Sequence, residues 1–312
     1  MRTGHAISYP VVMTTTELRT APFNELLALT TRLLTQAESL AALVARLKLD
    51  AAGEPGDPEV TAQLDRVLDG MAATDLCAKL DERERTTVIG HATTMLRQAM
   101  ELVDDPLRPG GWFCTDPQIL QGQGASSVIV AQLLSGAGIG RPDSRILDIG
   151  TGVGALAVAF CRTFPNSTVV GIDPWELSLE LARQNVAAAR LGSRITLRQT
   201  RIEAFEDHEG FDLVWMPVIF LSQLILEDAV RRAVDTMRPG AEIVLGRYTG
   251  SDDPLVSALG DLRTIRSGGT RLGAADTRAL LEDAGLVDVR EIERTWPAPL
   301  GLTAGRRPVP VA

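Results

Sequence analysis

The chain has 312 residues, 45% hydrophobic and 23% charged, a balance that excludes disordered, collagenous and membrane-embedded classes and fits one large folded domain or two. Its 40 Asp and Glu against 31 Lys and Arg give a net charge of −9, and without clustered positive charge a nucleic-acid partner is disfavoured. Cys77, Cys114 and Cys161 have no metal-ligand spacing and read as reduced thiols of a cytoplasmic protein; no stretch approaches the ~18 apolar residues of a membrane helix.

The opening residues lack the apolar run of a signal peptide. From Phe23 to Leu47 apolar residues recur at helical spacing, and Leu26, Leu33, Leu40 and Leu47 also fall seven apart. That stripe suits a dimerisation helix or a helix packed in a bundle. The Gly and Pro of "AAGEPGDPE" stop it. Helical patterns follow at about 58–70 and 84–103, with no convincing period-two strand before residue 140, so residues 1–108 are expected to form an all-helical domain acting as a lid or a dimer interface. "DDPLRPGG" at 104–111 reads as a linker, and Asp116 as the cap of a helix beginning at Pro117.

After Ser144 short β-rich runs alternate with helices. The strand candidates are "RILDIG", "STVVGID", "ITLRQT", "FDLVWMP", "AEIVLGRY", "VDVREIE" and, as a seventh, "LGLTAG". Such alternation predicts an α/β domain over 109–312, a mostly parallel sheet with helices on both faces. Ligands on these sheets sit beyond the carboxyl ends of the strands, where strand order reverses.

The segment "RILDIGTGVGALAVAF" places three glycines between a strand and a helix. Read as Gly150-x-Gly152-x-x-Ala155 it fits a dinucleotide fingerprint; read as Asp148-x-Gly150-x-Gly152-x-Gly154 it fits a loop for S-adenosylmethionine. Asp173, nineteen residues after Gly154, suits the ribose hydroxyls of either nucleotide, or a helix cap before Pro174. Asp148 separates the two readings: a carboxylate here would repel a pyrophosphate, whereas S-adenosylmethionine carries a sulfonium and an ammonium. The charge argument favours S-adenosylmethionine.

"ILDIGTGVGALAVAF", "VVGIDPWELSLELARQN", "FDLVWMPVIFL" and "MRPGAEIVLG" resemble, in order and spacing, the motifs of the class I S-adenosylmethionine-dependent methyltransferases. The resemblance covers about residues 112–312; "TDPQILQGQG" and "WMPVIFL" further resemble bacterial small-molecule methyltransferases with a helical N-terminal domain. It implies a Rossmann-like seven-stranded sheet. It also implies that Asp148, Gly150, Thr151 and Gly152 hold the methionine end of the cofactor, Gly154 shapes the turn and Asp173 binds the ribose. Pro174 and Trp175 would lie along the adenine or ribose, and Met216 and Pro217 near the reactive methyl group. Family members often carry an acid where Arg201 stands, so the backbone of Ile202 or the side chain of Glu203 would substitute in holding adenine.

Methyl transfer from a sulfonium expels a neutral leaving group, so positioning and desolvation supply much of the rate and a general base is needed only for acceptors that must lose a proton. His208 reads as a residue of a solvated turn, His5 as part of a mobile tail and His91 as a structural residue of an N-terminal helix. Trp112, Phe113 and Phe220 are candidates to line an acceptor pocket, with Trp215 a core residue of its strand. Gln121 and Gln123 suit either the ligands or water, and Gln123 is the candidate acceptor contact. The fourth strand lacks an Asn/Asp-Pro-Pro-aromatic motif and an acidic metal cluster. The expectation is a metal-independent methyltransferase for a small molecule, working as a homodimer through its N-terminal helices. The alternatives are a non-methylating enzyme that cyclises the cofactor's aminobutyryl arm, a nicotinamide-dependent oxidoreductase, and a binding protein without turnover.

Overall fold

In the computed structural model, which describes residues 20–296 and 299–310, the chain divides into two compact units, residues 1–85 and 86–312. The expectation that no signal peptide opens the chain, and His5, lie outside the described residues.

The first unit contains α1 (Ala21–Ala52), α2 (Pro58–Gly70), α3 (Thr74–Ala78) and the start of α4 (Glu82–Asp104). α1 ends because Gly53 adopts φ +66° and turns its N–H back to the carbonyls of Asp50 and Leu49. α2 begins where Pro58 follows Asp57, whose carboxylate accepts the N–H groups of Glu59 and Val60 at 3.0 Å. Val44, Leu47 and Leu68 are buried between these helices, and Arg46 ties Asp50 on its own helix to Asp65 on the next. The earlier half of α1 leaves Leu26, Leu27, Leu33 and Leu34 exposed.

The second unit continues α4 and adds α5 (Pro117–Ser127) and α6 (Ile129–Gly136). Asp116 caps α5, its carboxylate accepting the N–H of Gln118 at 2.8 Å. The hydroxyls of Ser126 and Ser127 donate back to the carbonyls of Gly122 and Gly124, a pairing that bends helices, and α5 gives way to α6 at Val128. The backbones of α4 and α5 approach closely: a methyl group on Gly122 would stand 2.9 Å from the carbonyl oxygen of Gly90.

Then come β1 (Arg145–Ile149), α7 (Ala155–Thr163), β2 (Thr168–Asp173), α8 (Glu176–Ala188), β3 (Ile195–Gln199), β4 (Phe211–Pro217), α9 (Gln223–Asp235), β5 (Met237–Tyr248), α10 (Pro254–Arg266), α11 (Ala274–Asp283), β6 (Val287–Glu291) and β7 (Leu300–Arg306). The seven strands form one sheet in the order β3-β2-β1-β4-β5-β7-β6, parallel except where β7 inserts antiparallel between β5 and β6. Its two faces bury separate cores. One is built on Ile146, Phe160, Leu213 and Val244, the other on Leu147, Phe211, Val214 and Ile243. Trp215 belongs to the first core, lying so close over Gly246 that a methyl group there would come within 2.3 Å of the indole. Strand order reverses between β1 and β4, so the loop after β1 opens onto the crevice where such sheets bind ligands.

Candidate functional site

The loop after β1 is built from left-handed backbone. Gly150, Gly152 and Gly154 have φ of +69°, +55° and +72°, a conformation that costs other residues roughly 1–2 kcal/mol each. At Gly154 a methyl group would also meet the Cβ of Ala182 at 3.2 Å. The loop is fastened to its neighbours: the Asn185 amide on α8 donates to the carbonyl of Val153 at 2.8 Å and to Gln121 on α5 at 3.0 Å. Gln121 is thereby engaged with α8, and Asn185, the last residue of the "VVGIDPWELSLELARQN" segment, is a positioning residue to which the sequence had assigned no role.

Two carboxylates flank the loop. Asp173, at the end of β2, accepts the Gly152 N–H at 2.9 Å with one oxygen and the Trp175 N–H at 2.8 Å with the other. A carboxylate has about four acceptor positions, so both oxygens keep capacity for a further donor. Burial raises its pKa, and these two backbone donors oppose the rise. Asp148, at the end of β1, is 1% exposed. Its Oδ2 accepts the Thr151 hydroxyl at 2.6 Å, but its Oδ1 is buried without a hydrogen-bond partner among the described residues. Burial pushes this carboxyl from the ordinary 3.8 to about 7, with the Thr151 bond opposing and the nearby Asp173 charge adding to the rise.

Gln123 follows Ile119 and Leu120 along α5, the helix face that packs with Cys114 and Val153. Its Oε1 is likewise buried without a donor. Two buried acceptors, one beneath the glycine loop and one on α5, therefore lack donors among the described residues, and buried polar groups are normally satisfied. The α-ammonium of S-adenosylmethionine offers three N–H donors and a positive charge, so the residues present fit that group.

The ends of β2 and β3 are tied together by the Thr200 N–H, which donates to the carbonyl of Asp173 at 3.2 Å. This brings Pro174 and Trp175 beside the short helical turn at Ile202–Ala204, with Ile202 buried, Glu203 half-buried and Arg201 exposed. The Trp175 indole N–H donates to the carbonyl of Cys114 at 3.2 Å. Met216 is fully buried and Pro217 half-buried at the end of β4, where Pro217 lies 3.5 Å from the position of a Gly150 methyl. Phe220 follows, and meets Trp112 edge-on with ring centroids 5.2 Å apart. Trp112, Phe113 and Cys114 line a cavity of about 280 Å³ whose other walls include Leu102, Leu259 and Arg263. Gln123, expected to contact the acceptor, is not among its lining residues. His208 is exposed; desolvation first, then the Arg263 charge, lowers the pKa of His91.

Residues 146–240 match the family described as a methyltransferase domain. Release factor glutamine methyltransferase of Rhodopirellula baltica is 36% identical over 84 residues, which is 27% of this chain and 28% of that protein; the chain thus spans under a third of that relative's length. Two solved structures share the fold over nearly the whole chain. An O-methyltransferase-like protein of Nostoc punctiforme gives TM-score 0.66 at 16% identity, covering 92% of this chain and all of that one. Human N-acetylserotonin methyltransferase, solved with S-adenosylmethionine, gives 0.63 at 15%, covering 95% and 100%.

Proposed function

This chain carries a class I S-adenosylmethionine-dependent methyltransferase domain, and on that premise we propose that it transfers a methyl group from S-adenosylmethionine to a small molecule, without a metal. The observation that carries the cofactor reading is the buried, unpartnered Oδ1 of Asp148 beneath the left-handed glycine loop. A nicotinamide dinucleotide would set its pyrophosphate against this loop, close to a buried carboxylate with which it shares its charge sign.

S-adenosylmethionine supplies an electrophilic methyl group on a cationic sulfur. In this reading Asp148 and Gln123 accept the donors of the methionine end, Gly150, Thr151 and Gly152 give it room, and Asp173 accepts the ribose hydroxyls. Trp175, Pro174 and the Ile202–Glu203 turn bracket the adenine, and Met216, Pro217 and Phe220 border the reacting carbon. Trp112 and Phe113 hold the acceptor, so the chain's contribution is chiefly alignment and exclusion of water.

A small-molecule acceptor is supported by the extent of the likenesses. The fold shared with O-methyltransferase-like proteins extends over more than nine tenths of the chain, whereas the protein-modifying relative matches a quarter of it. The net charge of −9 also disfavours an RNA acceptor. We place the site of action in the cytoplasm, where Cys77, Cys114 and Cys161 stay reduced. The residues up to about 108 serve as a lid or pairing domain, the exposed leucines of α1 meeting those of a second copy.

Thermal unfolding with S-adenosylmethionine, S-adenosylhomocysteine and NAD tests the cofactor. A ligand at ~100 times its dissociation constant adds about 2.7 kcal/mol and raises the midpoint by several degrees. Stabilisation by the first two alone is expected; stabilisation by NAD alone would refute the reading of Asp148.

A further inference from the structure

The cavity beside Trp112 is bordered by a cation that has no hydrogen bond or ion pair among the described residues. Three arginines border it: Arg108, Arg263 and Arg266. Arg108 donates to the carbonyl of Gly111 at 3.1 Å and pairs with Glu101 at 3.5 Å. Arg266 donates to the carbonyls of Glu101 and Asp105, closing the last turn of α4. Arg263, half-buried on α10, has neither a hydrogen bond nor an ion pair for its guanidinium among the described residues. Its nitrogens are not among the buried unpartnered atoms, so this guanidinium stays open to the cavity and to an anion entering it.

The surroundings indicate what would pair with it. Burial lowers the pKa of His91 on α4 and raises that of Tyr248 at the end of β5, and at both the positive charge of Arg263 acts in the lowering direction. Tyr248 lies at the carboxyl edge of the sheet, on the same side as the glycine loop. The cavity reaches that side through two contacts: Trp112 packs on Phe220 after β4, and Cys114 accepts the indole N–H of Trp175 after β2. Its remaining wall is apolar, with Leu259 and Leu262 on α10 and Met95 and Leu102 on α4. Glu101, Asp104 and Asp105 stand on the same rim and oppose more than one negative charge.

We propose that Arg263 anchors a single carboxylate on the methyl acceptor, which makes the acceptor a small aryl carboxylic acid with its ring against Trp112 and its acid group on α10. The planar fork of a guanidinium matches a carboxylate with two parallel hydrogen bonds. The volume of about 280 Å³ suits one or two fused rings. This proposal rests on the methyl-transfer reading above, which supplies the reason for an acceptor to bind here.

The test uses the full chain saturated with S-adenosylhomocysteine, titrated calorimetrically with 2-naphthoate and, separately, with 2-naphthamide. The acid is expected to bind at least roughly tenfold tighter than the amide, as for a hydrogen-bonded charge pair. Arg263→Gln should remove that preference and Arg263→Lys retain part of it, both with unchanged affinity for S-adenosylhomocysteine, which reports that the variants fold. Equal binding of acid and amide, no binding of the acid, or a preference that survives Arg263→Gln would overturn the anchor. Failure of S-adenosylhomocysteine itself to bind would instead remove the methyl-transfer reading on which the anchor rests.

Discussion

Asp148→Asn sets the stability of the unliganded protein against its affinity for cofactor. In the folded chain the carboxyl is buried, one oxygen is unpartnered, and Asp173 lies close enough to repel it. The rise from 3.8 to about 7 corresponds to a penalty of about 4 kcal/mol on the ionised form. Because the folded pKa lies above the unfolded one, the stabilising contribution of the protonated acid is complete below about pH 4, declines as the pH rises, and is lost by about pH 7. An amide at this position never ionises, and it still accepts the Thr151 hydroxyl. Its NH2 group has no acceptor to replace water, which costs about 1–3 kcal/mol. The unliganded variant is therefore expected to exceed the natural protein by about 1–3 kcal/mol at about pH 8 and to show no advantage at about pH 4.5. The assay is urea unfolding at the two pH values, extrapolated linearly to water. At the higher pH the same variant binds S-adenosylmethionine more weakly, since the ammonium loses its carboxylate. A stability difference that does not change between the two pH values would refute the reasoning.

Gly154→Ala should cost about 1–2 kcal/mol in the same unfolding assay, because a left-handed backbone must carry a side chain that also presses on Ala182. Gly246→Ala places a methyl group 2.3 Å from the Trp215 indole; overpacking of this kind costs about 1–3 kcal/mol and should alter the tryptophan fluorescence. Replacing both Leu33 and Leu34, exposed on α1, with glutamate should convert a dimer to a monomer in sedimentation equilibrium with unchanged circular dichroism. A natural protein that sediments as a monomer would contradict the pairing role of α1.

The parts of the site that could be read from the sequence are those whose chemistry is local. Gly150, Gly152 and Gly154 fall at every second position because one tight turn needs all three, and Asp148 is the penultimate residue of β1 and Asp173 the last of β2. Asp116 was legible for the same reason, as a cap next to Pro117. Asn185 was not, since it holds the loop from a helix thirty-two residues away and lies in an ordinary amphipathic run. Arg263 was further hidden. α10 leaves Leu255, Val256 and Ile265 exposed, and only folding reveals that two of the three cavity arginines are engaged by α4 and its following loop while the third is not. The break between α5 and α6 escaped the pattern because the apolar spacing runs on across Val128, while the serines that bend the chain act through their own backbone. The division of the chain into compact units falls inside α4, where a helical pattern carries no mark of which neighbour each turn packs against.

The account depends most on Asp173 and the cofactor it is assigned to hold. Calorimetric titration of S-adenosylmethionine and of NAD into the natural protein and into Asp173→Ala tests that assignment directly. The expected result is one S-adenosylmethionine bound per chain, no NAD, and a loss of affinity of at least about tenfold in the variant, since the ribose loses its acceptor and the Gly152 and Trp175 N–H groups lose theirs. NAD binding to the natural protein, or S-adenosylmethionine affinity that Asp173→Ala leaves unchanged, would contradict it.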